Sequence, residues 1–85
     1  MIIIYTTNWC PYCVSAKNFI KEHDIAYKEI NIEEEKISRS EMQNITGQYT
    51  VPQIIINNKC IGGYQDLLRL YQNKQLKELI NEWHW

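Results

Sequence analysis

Two cysteines three positions apart, Cys10 and Cys13, are the residues of this sequence with the most distinctive chemistry. A strand-like run at residues 2–6 precedes them and a helix-like run begins at Pro11, so both sulfurs fall at a strand-to-helix junction. The first N–H groups of a helix have no partner within it, and together with the helix dipole they favour negative charge. A thiolate therefore forms there more readily than in water, and the spacing lets the two sulfurs close a small disulfide.

The position of each sulfur along the helix predicts a different role. Pro11 suits the first helical position, because its missing N–H is not needed there. Cys10 is then expected to be the exposed, activated thiol at the helix entrance, with Cys13 one turn further in and more shielded. The pair could be half of a zinc site, two structural buried thiols, or a redox couple. A C-x-x-C beside a strand–helix–strand pattern, in a chain without a secretion signal, favours the redox couple.

Length and composition limit the class of protein. The 85 residues predict one domain over residues 1–85, and a hydrophobic content of 45% is typical of a globular protein. A net charge of −1 argues against a nucleic-acid partner. The sequence shows no signal segment and no apolar run of membrane-spanning length, so no membrane partner is expected. We expect a cytoplasmic monomer whose cysteine pair cycles, because structural disulfides are rare in that compartment.

The surrounding pattern predicts a strand–helix–strand unit and then a further helix. Apolar spacing places strands at residues 2–6 and 26–32, on either side of a helix at residues 11–23. Such a unit makes the two strands parallel, with a right-handed crossover. The acidic run at residues 33–35 suits the N-terminus of the next helix, and Gly47 suits its end.

Two short strands and two helices follow. The strands are predicted at residues 53–57 and 59–61, antiparallel around an Asn-Asn turn. The helices are marked by apolar residues at helical spacing: Leu67, Leu70 and Tyr71 in one, and Leu76, Leu79, Ile80 and Trp83 in the other. Cys60 has no cysteine or histidine at metal-ligand spacing and is expected to be a small core residue. His23 and His84 are expected on the surface.

Three motifs in this order resemble the glutaredoxin family. They are Cys-Pro-Tyr-Cys at residues 10–13, Thr-Val-Pro at residues 50–52, and Gly-Gly-Tyr-Gln-Asp-Leu at residues 62–67. The resemblance implies an α/β, thioredoxin-like fold: a four-stranded mixed sheet flanked by helices, in the order β-α-β-α-β-β-α with an additional C-terminal helix. It also implies a glutathione-dependent oxidoreductase that acts on protein disulfides and glutathione mixed disulfides, with glutathione as co-substrate and no tightly bound cofactor.

The resemblance implies a glutathione groove beside the two catalytic cysteines. Pro52 would follow a cis peptide bond and turn the backbone of Val51 toward the thiols, where it could pair with the cysteinyl part of glutathione. The helix start at Gln65 and Asp66 would hold the γ-glutamyl end, with free N–H groups at its α-carboxylate and the Asp66 carboxylate at its α-ammonium. The groove residues implied are Tyr12, Gln48, Val51, Pro52, Gln65 and Asp66.

The sequence departs from the family at the glycine end of this groove. Many members carry a lysine where this chain has Thr7, and an arginine where it has Gln48 and Tyr49. Exposed ion pairs contribute about 0–1 kcal/mol each, so glutathione binding should be weaker but not lost. Two other functions stay open: a thioredoxin-like reductase recharged by a flavoprotein, and an iron–sulfur carrier with Cys10 and glutathione as ligands.

Overall fold

The computed structural model describes residues 2–81 as a four-stranded mixed sheet with helices on both faces. The strands are β1 (Ile2–Thr6), β2 (Tyr27–Asn31), β3 (Gln53–Ile56) and β4 (Lys59–Gly62). The helices are α1 (Pro11–Glu22), α2 (Arg39–Thr46), α3 (Tyr64–Gln72) and α4 (Leu76–Asn81). The sheet order is β2-β1-β3-β4, with β1 parallel to β2 and antiparallel to β3, and β3 antiparallel to β4. The predicted element order and sheet are confirmed.

Side chains of β1 alternate between two hydrophobic clusters, because successive residues of a strand point to opposite faces. Ile2 and Ile4 are fully buried in the larger cluster, which α1, α3 and α4 cover. Tyr5 lies on the other face, with Met42 of α2. The central strand is therefore covered on both sides, and its C-terminal end leads directly into the loop that carries the cysteines.

Helix α2 begins later than the acidic run predicted. Residues 33–35 form a turn, because the N–H groups of the first two glutamates donate to Asn31 Oδ1 at 3.0 and 3.2 Å. The helix begins at Arg39, after Ser38 accepts from the Glu41 N–H at 3.0 Å and the Glu41 carboxylate accepts from the Ser38 N–H at 3.4 Å. This reciprocal capping box is a more specific start signal than acidic residues alone. The predicted helix start is therefore wrong.

Cys60 is exposed, so its prediction as a core residue is also wrong. It lies on β4, which is an edge strand paired only with β3 in the described sheet. The pairing of these strands shifts between Ile54 and Ile55, next to the partner of Cys60. Ile61 of the same strand packs against the larger cluster, whereas the preceding residue, Cys60, points to the opposite face and stays exposed.

The exposure of Cys60 changes the expected cost of replacing it. Cys60→Ala should lower the free energy of unfolding by about 1 kcal/mol, because the exposed thiol packs little but donates to the buried Gln53 Oε1 at 3.7 Å, which would lose this partner. Urea denaturation of both proteins under reducing conditions measures this difference. No loss would show that the thiol does not hold Gln53, and a loss above about 3 kcal/mol would show that the thiol packs more tightly than its edge position indicates.

The carboxylate of Glu29 ties α1 to the sheet behind the cysteines. It accepts from Thr6 Oγ1 at 2.7 Å and from Lys17 Nζ at 3.0 Å. Burial raises the pKa of Glu29, but these two hydrogen bonds and the charges of Lys17 and Lys21 outweigh it, and the pKa lies below its ordinary value of 4.5. The carboxylate therefore stays ionised at neutral pH and keeps both partners.

The C-terminal helix α4 is confirmed as far as Asn81, with Leu76 buried in the larger cluster. The predicted continuation to Trp83, and the surface position of His84, lie outside the described residues. His23 is exposed as predicted, and its ring stacks on Phe19 at 4.3 Å between centroids. Between residues 2 and 81, none of the helices is long and apolar enough to cross a membrane.

Candidate active site

The loop between β1 and α1 places Cys10 at the cap of the helix. Its backbone is extended, with φ −153°, and its sulfur accepts from the Cys13 N–H at 3.1 Å. The Cys10 carbonyl accepts from the Val14 N–H at 3.2 Å and so begins the helical hydrogen-bond series. One N–H group and the positive end of the helix dipole thus face this sulfur. That environment stabilises a thiolate once the disulfide is open.

Cys10 and Cys13 are joined by a disulfide, with their Cα atoms 5.2 Å apart. Cys10 is 9% exposed and Cys13 is 2% exposed. The expected order of accessibility holds, but Cys10 is nearly buried in this oxidised state rather than openly exposed. Its sulfur lies 3.8 Å from the carbonyl oxygen of Val51, so the loop opposite the helix covers it.

The loop before β3 supplies the other wall of the site. The Val51–Pro52 peptide bond is cis, as the resemblance implied. Three side chains that the sequence did not single out hold residues 48–50 in place. Arg39 donates to the Tyr49 carbonyl at 2.8 Å, and Gln53 Nε2 donates to the Thr50 carbonyl at 2.8 Å. Thr46 Oγ1 accepts from the Gln48 N–H at 3.2 Å, and its single proton is shared between the carbonyls of Met42 at 3.0 Å and Gln48 at 3.1 Å.

The start of α3 is capped by Asp66. Its Oδ2 accepts from the Gly63 N–H at 2.9 Å, and its Oδ1 lies 3.3 Å from Arg69 in an exposed ion pair. Gly62 has φ +108°, and a Cβ there would overlap the Asp66 carboxylate. Glycine is therefore required at that position. The capping role of Asp66 leaves Oδ1 near the surface, shared with Arg69.

These segments enclose a groove of about 200 Å³ between the helix entrance, the cis-proline loop and the start of α3. Its lining residues are Tyr12, Gln48, Thr50, Val51, Pro52, Gly63, Tyr64, Gln65 and Asp66. The structure thus brings together all six residues that the resemblance implied for a glutathione groove. A larger cavity of about 650 Å³ lies around the end of α1, lined by His23 and Tyr71. Neither Cys10 nor Cys13 lines either cavity, and Cys10 is linked to the groove by its 3.8 Å contact with the carbonyl of Val51, a groove residue.

The charges of the groove match the departures seen in the sequence. Asp66 is the only charged residue among the described residues that line it. Thr7, at the position of the family's lysine, is 8% exposed, and Tyr49 is 51% exposed. The residues that line this end of the groove, Gln48 and Thr50, are therefore neutral, but the guanidinium of Arg39 is held on the same loop by the Tyr49 carbonyl at 2.8 Å. Within residues 2–81, no three His, Cys, Asp or Glu side chains are placed to hold a metal ion.

Comparison with known proteins gives one consistent result. The glutaredoxin family model matches residues 2–61. A glutaredoxin of Pseudomonas aeruginosa is 36% identical over 80 residues, covering 94% of this chain and 95% of that protein. Glutaredoxin 1 of Rickettsia typhi is 40% identical over 83 residues, covering 93% of this chain and 78% of that protein.

Solved structures agree with the sequence comparison. The solution structure of glutaredoxin from Brucella melitensis has a TM-score of 0.78 at 36% identity and covers 93% of this chain and 86% of that one. A buckwheat glutaredoxin–glutathione complex has a TM-score of 0.86 at 24% identity and covers 95% of this chain and 76% of that one. At this identity the likeness supports the fold of the chain. The chain belongs to the glutaredoxin family.

Proposed function

We propose that this chain reduces protein disulfides and glutathione mixed disulfides, with Cys10 as the nucleophile and Cys13 as the resolving thiol. Its activity is that of a glutathione-dependent thiol–disulfide oxidoreductase. The observation that carries the proposal is the disulfide between the two cysteines at the N-terminus of α1, covered by the Val51 carbonyl. Cys10 is the more accessible of the two bridged residues, 9% exposed against 2% for Cys13, so it is the one that an incoming thiolate would reach first.

The reaction follows from thiolate exchange. The Cys10 thiolate attacks one sulfur of the substrate disulfide, and the other substrate sulfur leaves as a thiolate that takes up a proton. For a protein disulfide, the Cys13 thiolate then attacks the Cys10 sulfur, which releases the second substrate thiol and leaves the bridge. One glutathione opens the bridge and remains on Cys10, and a second removes it as glutathione disulfide. A glutathionylated substrate needs Cys10 alone.

The groove explains how glutathione would be held during these steps. The backbone of Val51 lies beside the Cys10 sulfur and would pair with the cysteinyl residue as an added strand does. The first N–H groups of α3, around Gln65, would bind the α-carboxylate of the γ-glutamyl end. The Asp66 carboxylate would accept from its α-ammonium, and Tyr12 would close the side of the groove. No resident cofactor takes part in this scheme.

The proposal extends to the compartment, the oligomeric state and the partners of the protein. We expect it to act as a monomer in the cytoplasm, because a pair that cycles with glutathione needs a reducing compartment. Its partners would be glutathione and disulfide-containing or glutathionylated proteins, with no nucleic acid or membrane involved.

A comparison of two recharging systems tests this function. With NADPH, glutathione and glutathione reductase, the protein should reduce a small disulfide at a rate proportional to its concentration. With NADPH and thioredoxin reductase in place of the glutathione system, turnover should be at least about tenfold slower, a difference of about 1.4 kcal/mol. The opposite preference would indicate the thioredoxin-like alternative. Visible absorption of anaerobically purified protein would instead support the iron–sulfur carrier.

A further inference from the structure

Trp9, the residue before Cys10, is 88% exposed, more than any other large hydrophobic side chain within residues 2–81. It does not line the groove, whereas Tyr12, on the other side of Cys10 in the sequence, does. A single exposed aromatic residue is common on protein surfaces, so the exposure alone indicates nothing. The position of Trp9 is what matters, because a protein that brings a disulfide to Cys10 from outside the groove would meet the indole.

The loop that carries Trp9 is held in place on both sides. The preceding residue, Asn8, accepts from Asn31 Nδ2 at 2.8 Å and donates to Glu33 Oε2 at 2.8 Å. On the other side of Trp9, Cys10 is the cap of α1. The backbone on either side of the indole is thus fixed before any partner arrives. A rigidly carried aromatic side chain offers a large contact area and loses little entropy on binding.

The hydrogen bond from Asn8 to Glu33 also places negative charge beside this loop. Glu33 lies in an exposed turn with Glu34 and Glu35, and none of these three carboxylates forms an ion pair within residues 2–81. The same turn contains one cation, Lys36. Three carboxylates against one ammonium leave the turn with a net negative charge.

An exposed indole next to a carboxylate suits an arginine or lysine of a partner. A cation over the face of an aromatic ring is attracted by the ring, and tryptophan is the best aromatic residue for this contact. The carboxylate of Glu33 can accept from the same cation. Arg39, the next cation of this chain after the turn, is held on the groove loop by the Tyr49 carbonyl. Charge complementarity therefore favours a basic substrate segment over a neutral or an acidic one.

We propose that Trp9 and Glu33 form a docking surface for protein substrates that carry an arginine or lysine beside the disulfide cysteine. The inference rests on the proposed function and names a substrate class for it. The basic side chain would lie on the indole and against the carboxylate while the neighbouring cysteine reaches Cys10. Glutathione would occupy the groove, which neither Trp9 nor Glu33 lines, so this surface acts on the protein partner alone.

Three peptides with the same internal disulfide test the preference, with arginine, serine or glutamate beside each cysteine. The value of kcat/KM for each is measured at low salt with glutathione, glutathione reductase and NADPH. It is divided by the rate constant for uncatalysed reduction by 2-mercaptoethanol, a neutral thiol, to correct for the reactivity of each disulfide. The corrected value for the arginine peptide should exceed that for the serine peptide about two- to fivefold, the size of one exposed cation–π contact. The glutamate peptide should fall below both.

Three variants identify the residues responsible, with the ratio of the arginine to the serine peptide as the readout. Trp9→Leu keeps an apolar side chain without an aromatic face and should bring the ratio close to one. Glu33→Gln keeps an oxygen for Asn8 but removes the charge, so it should lower the ratio in part and abolish its decrease with added salt. Glu22→Gln makes the same exchange at the far end of α1 and should leave the ratio unchanged. A general change in the reactivity of Cys10 cancels in each ratio.

A ratio near one in the unmodified protein would overturn the inference, and so would a preference that Trp9→Leu leaves intact. A ratio that Glu33→Gln leaves unchanged at every salt concentration would overturn the pairing of indole and carboxylate. The mixed disulfide of glutathione and 2-mercaptoethanol separates this inference from the proposed function. Failure to reduce that small substrate would refute the function, whereas its reduction without any peptide preference would refute the docking surface alone.

Discussion

Cys10→Ser will abolish thiol transfer, whereas Cys13→Ser will retain most of the activity on glutathionylated substrates and lose most of that on protein disulfides. The sulfur of Cys10 faces the groove loop, 3.8 Å from the Val51 carbonyl oxygen, and it accepts a hydrogen bond from the Cys13 N–H. Cys13 is 2% exposed, and its sulfur is bonded to that of Cys10. Removing Cys10 leaves only the 2% exposed Cys13 of the pair, which substrates would not reach. Removing Cys13 leaves a mixed disulfide on Cys10 that glutathione alone must resolve, which is slow where a bound protein blocks its access.

Parallel rate measurements with a glutathionylated peptide and with a protein disulfide check this division of labour. Ser15→Ala, a substitution in the same helix away from the groove, controls for an effect on α1 itself. Mass spectrometry of Cys13→Ser during turnover should show one glutathione attached to Cys10. Equal loss of peptide deglutathionylation in both cysteine variants would contradict the assignment of roles.

Asp66→Asn will weaken the use of glutathione without slowing the reaction of Cys10 with a small alkylating reagent. The substitution keeps an oxygen for the Gly63 N–H, so the cap of α3 survives, but it removes the charge that would meet the α-ammonium of glutathione. The side chain is 40% exposed, which reduces the value of this charge. We expect a loss on the order of 1 kcal/mol, or about a fivefold rise in KM for glutathione.

Arg69→Gln is the matched comparison for this variant. Arg69 shares Asp66 Oδ1 with the site proposed for the ammonium group, so its removal should leave KM for glutathione unchanged or lower it. Steady-state kinetics against glutathione and alkylation rates of reduced protein are measured for all three proteins. An unchanged KM in Asp66→Asn would reduce Asp66 to a helix cap, and slower alkylation would mean that the change had disturbed the cysteine loop.

Local signals were sufficient for the parts of the fold that depend on nearby residues. The β-branched run before the cysteines, Pro11 at the first helical position and Gly47 at the end of α2 each act within one turn of the chain, and each was correctly interpreted. The start of α2 was missed because the side chain of Asn31 competes for the same N–H groups that a helix would leave free. The Ser38–Glu41 pair was a local signal that could have corrected this.

The remaining errors concern properties that only the assembled sheet creates. Cys60 is exposed because β4 lies at an edge and pairs irregularly with β3, and neither fact is visible in three residues of sequence. The burial of Gln53 was equally unpredictable from the sequence, because glutamine is usually exposed and this one is fully buried. Its partners are three and five positions earlier and seven positions later, so the network exists only once the loop and hairpin are folded.

The two ends of α2 both hold the groove loop, Arg39 at its first residue and Thr46 at its last. An eight-residue helix is too short to persist alone and depends on its packing against the sheet. Local opening of this helix would therefore release the loop at two points together, while the cysteine helix α1 on the other face stayed folded. The apparent affinity of the groove for a ligand is then reduced in proportion to the fraction of molecules in which α2 is folded. Conversely, a ligand that requires the ordered loop stabilises folded α2 by its free energy of binding.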